Sequence, residues 1–323
     1  MITVRPVSVD ATPVLPTFRY SAFGLDIEST VAVPLLAPWG SDGPRSERRV
    51  TLNALERAPL TATAPTVFER RFPSGRPMLI VRRDEDAYHI WAPRHGRYSV
   101  SSDGRRMAAR VPTTAHWWWT KLLFAQVLPL AASLQGVECL HASCVALDGR
   151  AYALSGPSGT GKSSVALHLA TRGGRFVCDD VLATDVGGRG VSVHSGPSFT
   201  AADPAELARV PAATRPRALA ARDDPKTYVE LATACGPLPL ERMYFLRRDH
   251  DAAALEIRPL DDARPILASR FLSYLTDPDQ LLRHLEAAAA VAARVDVVEA
   301  LIPDGVGAVR VAEAIAEHAR SER

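Results

Sequence analysis

Eight consecutive residues carry the clearest chemistry in the chain. Gly156-Pro157-Ser158-Gly159-Thr160-Gly161-Lys162-Ser163 fits G-x-x-x-x-G-K-[ST] at every fixed position. Glycines let backbone N–H groups converge on phosphate oxygens, and a helix that starts at the loop's end turns its positive dipole on the same anion. Lys162 can then reach the β- and γ-phosphates of a nucleotide, and Ser163 can hold Mg2+. Gly156, Ser158, Gly159, Thr160, Gly161, Lys162, Ser163 and Ser164 are therefore the expected nucleotide-binding residues. Ordinary residue frequencies give such a match by chance in roughly one chain of this length in a hundred. Lysine is scarce here, with only Lys121, Lys162 and Lys226 against 35 arginines, which makes the match rarer still.

Asp179 and Asp180 follow Ser163 by sixteen residues. That length accommodates a short helix and a strand whose C-terminal end a parallel arrangement returns to the phosphate side. Neighbouring strand residues face opposite ways, so one acid can serve Mg2+ while the other accepts a proton from an attacking hydroxyl. The plain alternative is a solvated acidic turn. Asp148-Gly149 is a strong hairpin signal, and a two-residue turn there sets Leu147 opposite Arg150 and His141 opposite Gly156. His141 would stand beside the first glycine of the loop, able to donate to a phosphate or steady a carboxylate. Lys226, in Asp223-Asp224-Pro225-Lys226, could close over the γ-phosphate. Arg209, Arg215, Arg217 and Arg222 offer further charge to phosphate or an acidic peptide, and Trp117-Trp118-Trp119 reads more readily as packing than as a stacking platform.

The elements that must position these groups divide the chain in three. Residues 1–112 read as a β-rich N-terminal domain, with a meander whose turns fall at Asp84-Glu85-Asp86 and Asp103-Gly104. Residues 113–136 read as a bridging helix, capped by Thr113 or Thr114, kinked at Pro129 and ending near Gly136. Residues 137–323 read as an α/β domain. Its expected strands are VECLHASCVAL, RAYALSG, RFVCDD, YVELA, ERMYFLRR, ALEIRPL and VDVVEALI. A helix is expected from Ser163 to about Thr171, and others over Ala263 to Leu275, Pro278 to Arg294 and Val306 to Arg320. Gly187 to Asp224, rich in Gly, Pro and Ala, is expected to be a mobile segment or lid.

With 47% apolar and 23% charged residues the chain is globular, which excludes disordered, collagen-like and coiled-coil proteins. A net charge of +2 lacks the footprint of a nucleic-acid binder. Four cysteines without a C-x-x-C pair suggest reduced thiols, and neither a signal sequence nor a long apolar window is visible. The expectation is a cytoplasmic protein with no nucleic acid or membrane among its partners.

From His141 to Asp180, about forty residues, the sequence resembles the catalytic domain of the HPr kinase/phosphorylase family. The likeness lies in His141, the hairpin, GPSGTGKSS, Ala166, Leu167, Leu169, Arg172, Gly173 and the acid pair. It implies a phosphoenolpyruvate carboxykinase-like P-loop kinase fold and phosphorylation of a protein serine. It implies Asp179 as general base, Asp180 as the metal-side acid with Ser163, and His141 as an active-site histidine. YSAFGLDIEST and the hairpin region are also similar to HPr kinase-related proteins of peptide natural-product clusters, including lasso-peptide precursor kinases. The family's later Leu-Glu-x-Arg-Gly-x-Gly run has no counterpart between Val186 and Glu230, so the resemblance leaves HPr recognition, the hexamer and the reverse phosphorolysis open. The expected protein is an ATP- and Mg2+-dependent kinase of a hydroxyl on a small protein or precursor peptide, with the N-terminal domain recognising it. The rivals are a kinase of a free small alcohol and a non-catalytic nucleotide-sensing scaffold. A homo-oligomer is left open.

Overall fold

The computed structural model describes residues 17–36, 46–54, 63–93, 95–110, 117–188, 190–219 and 225–321. Alternation of buried and open positions builds the first sheet: Tyr88, Ile90, Tyr98, Val100, Met107 and Ala109 all face inward. Its strands are β1 (Phe18–Ala22), β2 (Leu25–Ser29), β3 (Arg49–Ala54), β4 (Thr66–Arg71), β5 (Pro77–Arg83), β6 (Ala87–Ala92), β7 (Gly96–Ser101) and β8 (Arg106–Arg110). β4 to β8 form the expected antiparallel meander, and β3 joins its edge in parallel with both β8 and β2.

Residues 117–134 are helical in three styles: a 3-10 turn at Trp117–Trp119, a widened π turn at Leu123–Val127, and an α-helix at Leu128–Leu134. Pro129 has no N–H to give the turn before it, and the widened turn takes up the mismatch. Thr113 and Thr114, the expected caps, lie outside the described residues. The helical segment presents Leu123, Phe124, Val127 and Leu130 to Phe23, Leu25, Tyr88 and Tyr98 of the first sheet. The same cluster takes in Cys139, Val181, Ala183, Leu272 and Leu275, so one core runs across both positions at which the sequence suggests a boundary.

The remainder is a nine-stranded and a three-stranded sheet with few helices, which makes the whole a mixed α/β fold. In chain order its strands are β9 (Glu138–Leu140), β10 (Ser143–Leu147), β11 (Arg150–Ser155), β12 (Arg175–Cys178), β13 (Leu182–Gly187), β14 (Gly190–His194), β15 (Phe199–Ala202), β16 (Arg217–Leu219), β17 (Thr227–Glu230), β18 (Leu238–Arg248), β19 (Glu256–Pro259) and β20 (Asp296–Ile302). β10 and β11 pair from Leu147↔Arg150 to Ser143↔Leu154, in the expected register. β12 runs in the same direction as β11 but pairs antiparallel with β10, one strand away from the simplest crossover.

Three expectations need correction. VECLHASCVAL is not one strand: it breaks at His141-Ala142, where the His141 N–H turns to the Ser269 carbonyl, and β9 joins β13 instead. Through its described part, Gly187 to Asp224 is not a loose lid. It holds β14, β15, the helix Pro204–Ala208 and β16, because Val191, Val193, Ala202 and Val210 are buried. The helix expected over Ala263 to Leu275 covers only Arg264–Ala268, after which Ser269 turns its hydroxyl back to the Ile266 carbonyl. The helices Pro278–Arg294 and Ala308–Ser321 lie close to expectation. Among the described residues no helix is long and apolar enough to cross a membrane.

Candidate active site

β11 delivers the chain into the glycine-rich loop at Gly156. The loop presses against β18 there, and a Cβ on Gly156 would lie 2.4 Å from the Leu246 carbonyl oxygen. Thr160 ties the loop to itself through the Pro157 carbonyl at 2.9 Å, while Ser158 and Gly159 stand open at its crest. The helix Lys162–Ala170 starts at Gly161 with no side-chain cap. It is anchored by Val165, Ala166 and Leu169 against Tyr152, Leu154 and Tyr244. Ser164 lies in its first turn. Lys162, only 7% exposed, folds back so that its Nζ donates to the carbonyls of Gly156 (2.8 Å) and Pro157 (3.1 Å). Burial lowers its pKa, against the pull of Asp180 and Asp179.

Asp179 follows directly on β12 and collects hydroxyls from three elements. Its Oδ1 accepts from Ser143 at 2.6 Å and from Ser163 at 2.9 Å, and its Oδ2 accepts from Thr200 at 2.5 Å. The Ser163 hydroxyl thus meets Asp179 rather than Asp180, the partner expected for it. Asp180 takes a left-handed backbone, φ 65°, and its carbonyl accepts from Nδ1 of His141 at 3.1 Å. The negative charge of Asp179 raises the Asp180 pKa, with burial second and His141, Lys226 and Lys162 opposing. The residue is open to solvent, so the neighbouring charge is the cause that counts. His141 stacks on Phe271 with centroids 6.0 Å apart. It falls outside the hairpin ladder, yet its carbonyl accepts from Ser155, the residue before Gly156, at 3.2 Å.

A cavity of about 320 Å3 opens beside the acids, lined among others by Phe23, Phe124, Phe199, Tyr228, Lys121 and Lys226. Lys226 therefore shares the site with Asp179 and Asp180. Lys121 is the residue that sequence reasoning missed. Its amine donates to the Tyr228 hydroxyl and lies 4.4 Å from the Trp118 ring centroid and 4.5 Å from that of Tyr228. Its rarity as a lysine was the one signal for it. Trp119 is buried, while Trp118 packs edge-on against both Trp117 and Tyr228, and Trp117 lies tilted against Tyr228. Arg209, Arg215 and Arg217 are engaged by Glu206, by the Ala208 and Val210 carbonyls, and by Glu230, and none lines this cavity. Arg222 lies outside the described residues.

The residues present suit the expected groups. Ser163 and Asp179 offer paired hard oxygens at the loop, and a nucleotide's phosphates would supply the rest of a Mg2+ shell. Among the described residues no three His, Cys, Asp or Glu side chains gather into a closed metal cage.

No family model matches the chain, and no curated protein matches it either. Among solved structures it is similar to the Hpr(Ser) kinase/phosphatase from Coxiella burnetii, at 12% identity and a TM-score of 0.31, over 56% of this chain and 96% of that one. At that score the likeness settles neither fold nor function.

Proposed function

We propose that the chain is an ATP- and Mg2+-dependent kinase with a phosphoenolpyruvate carboxykinase-like P-loop domain, moving the γ-phosphate to a Ser or Thr hydroxyl of a peptide or small protein. The observation that carries this reading is the Ser163–Asp179 hydrogen bond, which joins the helix after the phosphate loop to the acid pair. The acceptor oxygen attacks the γ-phosphorus, its proton passes to a carboxylate, and ADP leaves with the electrons of the broken bond. Mg2+, when bound, would offset phosphate charge. Lys162 and Lys226 would do the same from either side, and the loop amides would hold the donor.

The acids divide the work, and the geometry favours an exchange of the roles that the family resemblance implies. Asp179 belongs with Ser163 on the metal side. Asp180 suits the base, since a raised pKa brings a carboxylate closer to the proton affinity that acceptor deprotonation needs. His141 is a positioning residue that holds the Asp180 backbone.

Radiolabelled ATP tests this directly. Lys162→Ala should abolish transfer. Asp180→Asn should keep nucleotide and Mg2+ affinity but lose about 100-fold or more in kcat, and Asp179→Asn should raise the Mg2+ concentration needed. Full turnover by Asp180→Asn would refute its role as base. The second reading, a kinase of a free alcohol, is favoured by the small volume of the adjoining cavity.

A further inference from the structure

Most of the wall of the cavity beside the acids is apolar: Phe23, Phe124, Val181, Pro197, Phe199 and Ala201 line it. Of its polar members, Asp179, Asp180 and Lys226 already serve the transfer in the kinase reading, and the Lys121 amine is turned to the Tyr228 hydroxyl. Two elements bring the apolar groups there. The turn Phe23-Gly24 between β1 and β2 has φ angles of 55° and 75°, a backbone that favours Asn or Gly at both places. Phenylalanine is strained in it, yet the Phe23 N–H is held by the Ser195 carbonyl at 2.9 Å, which fixes the residue against the cavity. β15 supplies the second part. Its Thr200 donates to Asp179, so Phe199 and Ala201, one residue to either side, turn to the opposite face of the strand. One short strand thus fixes an acid and walls the cavity that the acid adjoins. A volume of about 320 Å3 admits one amino-acid residue or a small molecule rather than a folded surface.

We infer that this cavity is the acceptor pocket and that it selects a hydroxyl standing next to an apolar group, Phe199 and Ala201 setting that preference while Asp180 faces the hydroxyl. This rests on the kinase reading. The apolar group can be an aliphatic or aromatic residue beside Ser or Thr in a peptide, or the body of a free alcohol.

The test uses the full chain with Mg2+, radiolabelled ATP and an arrayed library of serine-centred peptides in which each flanking position is fixed in turn as every amino acid. Two free alcohols, the apolar 2-phenylethanol and the polar glycerol, form separate arms. Label should favour peptides with Leu, Ile, Met or Phe beside the serine over those with Gly or Asp there by about 10- to 100-fold, or 2-phenylethanol over glycerol if a free alcohol is the source. Ala201→Leu, which fills the pocket, should lower kcat/KM for the favoured acceptor about 10-fold, mainly through KM. Phe199→Ala should flatten the preference. Both variants should bind AMP-PNP with Mg2+ as the wild type does. Labelling indifferent to the flanking residue, labelling that favours charged neighbours, or a preference unchanged in both variants overturns the inference and leaves the kinase reading standing. No label in any arm while AMP-PNP binds ends both.

Discussion

Asp180 combines a left-handed backbone with a second carboxylate next door, and each costs stability. Its folded pKa lies above the ordinary value, so the fold favours its protonated form. The resulting penalty is absent at low pH and grows as pH rises through the unfolded value towards the folded one. Asp180→Asn keeps a side chain that tolerates this backbone and removes the charge. It should raise Tm at pH 7 by about 2 °C, with the gain fading below about pH 4. Thermal scans at several pH values check this, and an unchanged or lower Tm at neutral pH would contradict it. At this scale spacing alone told that Ser163 and the acid pair lie close together, though not that the Ser163 hydroxyl meets Asp179 rather than Asp180. Ser143 and Thr200 were not legible, because a lone hydroxyl belongs to no motif and each reaches Asp179 from a different strand. Lys121 meets Tyr228 across 107 residues, a separation no local pattern encodes.

The loop's entry depends on one backbone contact. Gly156→Ala sets a methyl 2.4 Å from the Leu246 carbonyl at a φ of 134° and should cost about 3 kcal/mol as well as nucleotide binding. Gly159→Ala meets no atom within 4 Å and bears only the strain of a positive φ, about 1 kcal/mol. Chemical denaturation of the two variants checks the ranking, and equal losses would contradict it. The hairpin register was legible because a two-residue turn fixes every pair after it. The break at His141 was not, since it follows from the Ser269 carbonyl far along the chain. Nor were β14 and β15: Gly and Ala dilute the apolar signal, while Val191 and Val193 are buried among neighbours such as Leu182 and Leu240, and Ala202 among Leu167 and Phe176.

At the scale of the molecule, the first sheet and the helical segment 117–134 supply Phe23, Lys121 and Phe124 to the cavity beside the acids. Arg48, ahead of β3, grips Asp185 of β13 with both guanidinium arms at 2.7 and 2.8 Å, and His194 adds a third contact at 2.6 Å. The shared core predicts that the full chain unfolds in one calorimetric transition. A fragment starting at Val137 would expose Val181, Ala183 and Leu272, and should lack a cooperative melt. Two resolved transitions in the full chain would contradict this. Changes in periodicity suggest three parts, but they give no sign of the joint core, because side chains that meet across the first sheet carry no mark of their partners. The β10–β11 ribbon has a practical use. Its tip at Asp148-Gly149 stands about 20 Å from the phosphate loop, six residues of extended strand away. A dye or surface tether fixed at that tip would report on, or immobilise, the molecule while leaving the glycine-rich loop at the ribbon's other end untouched.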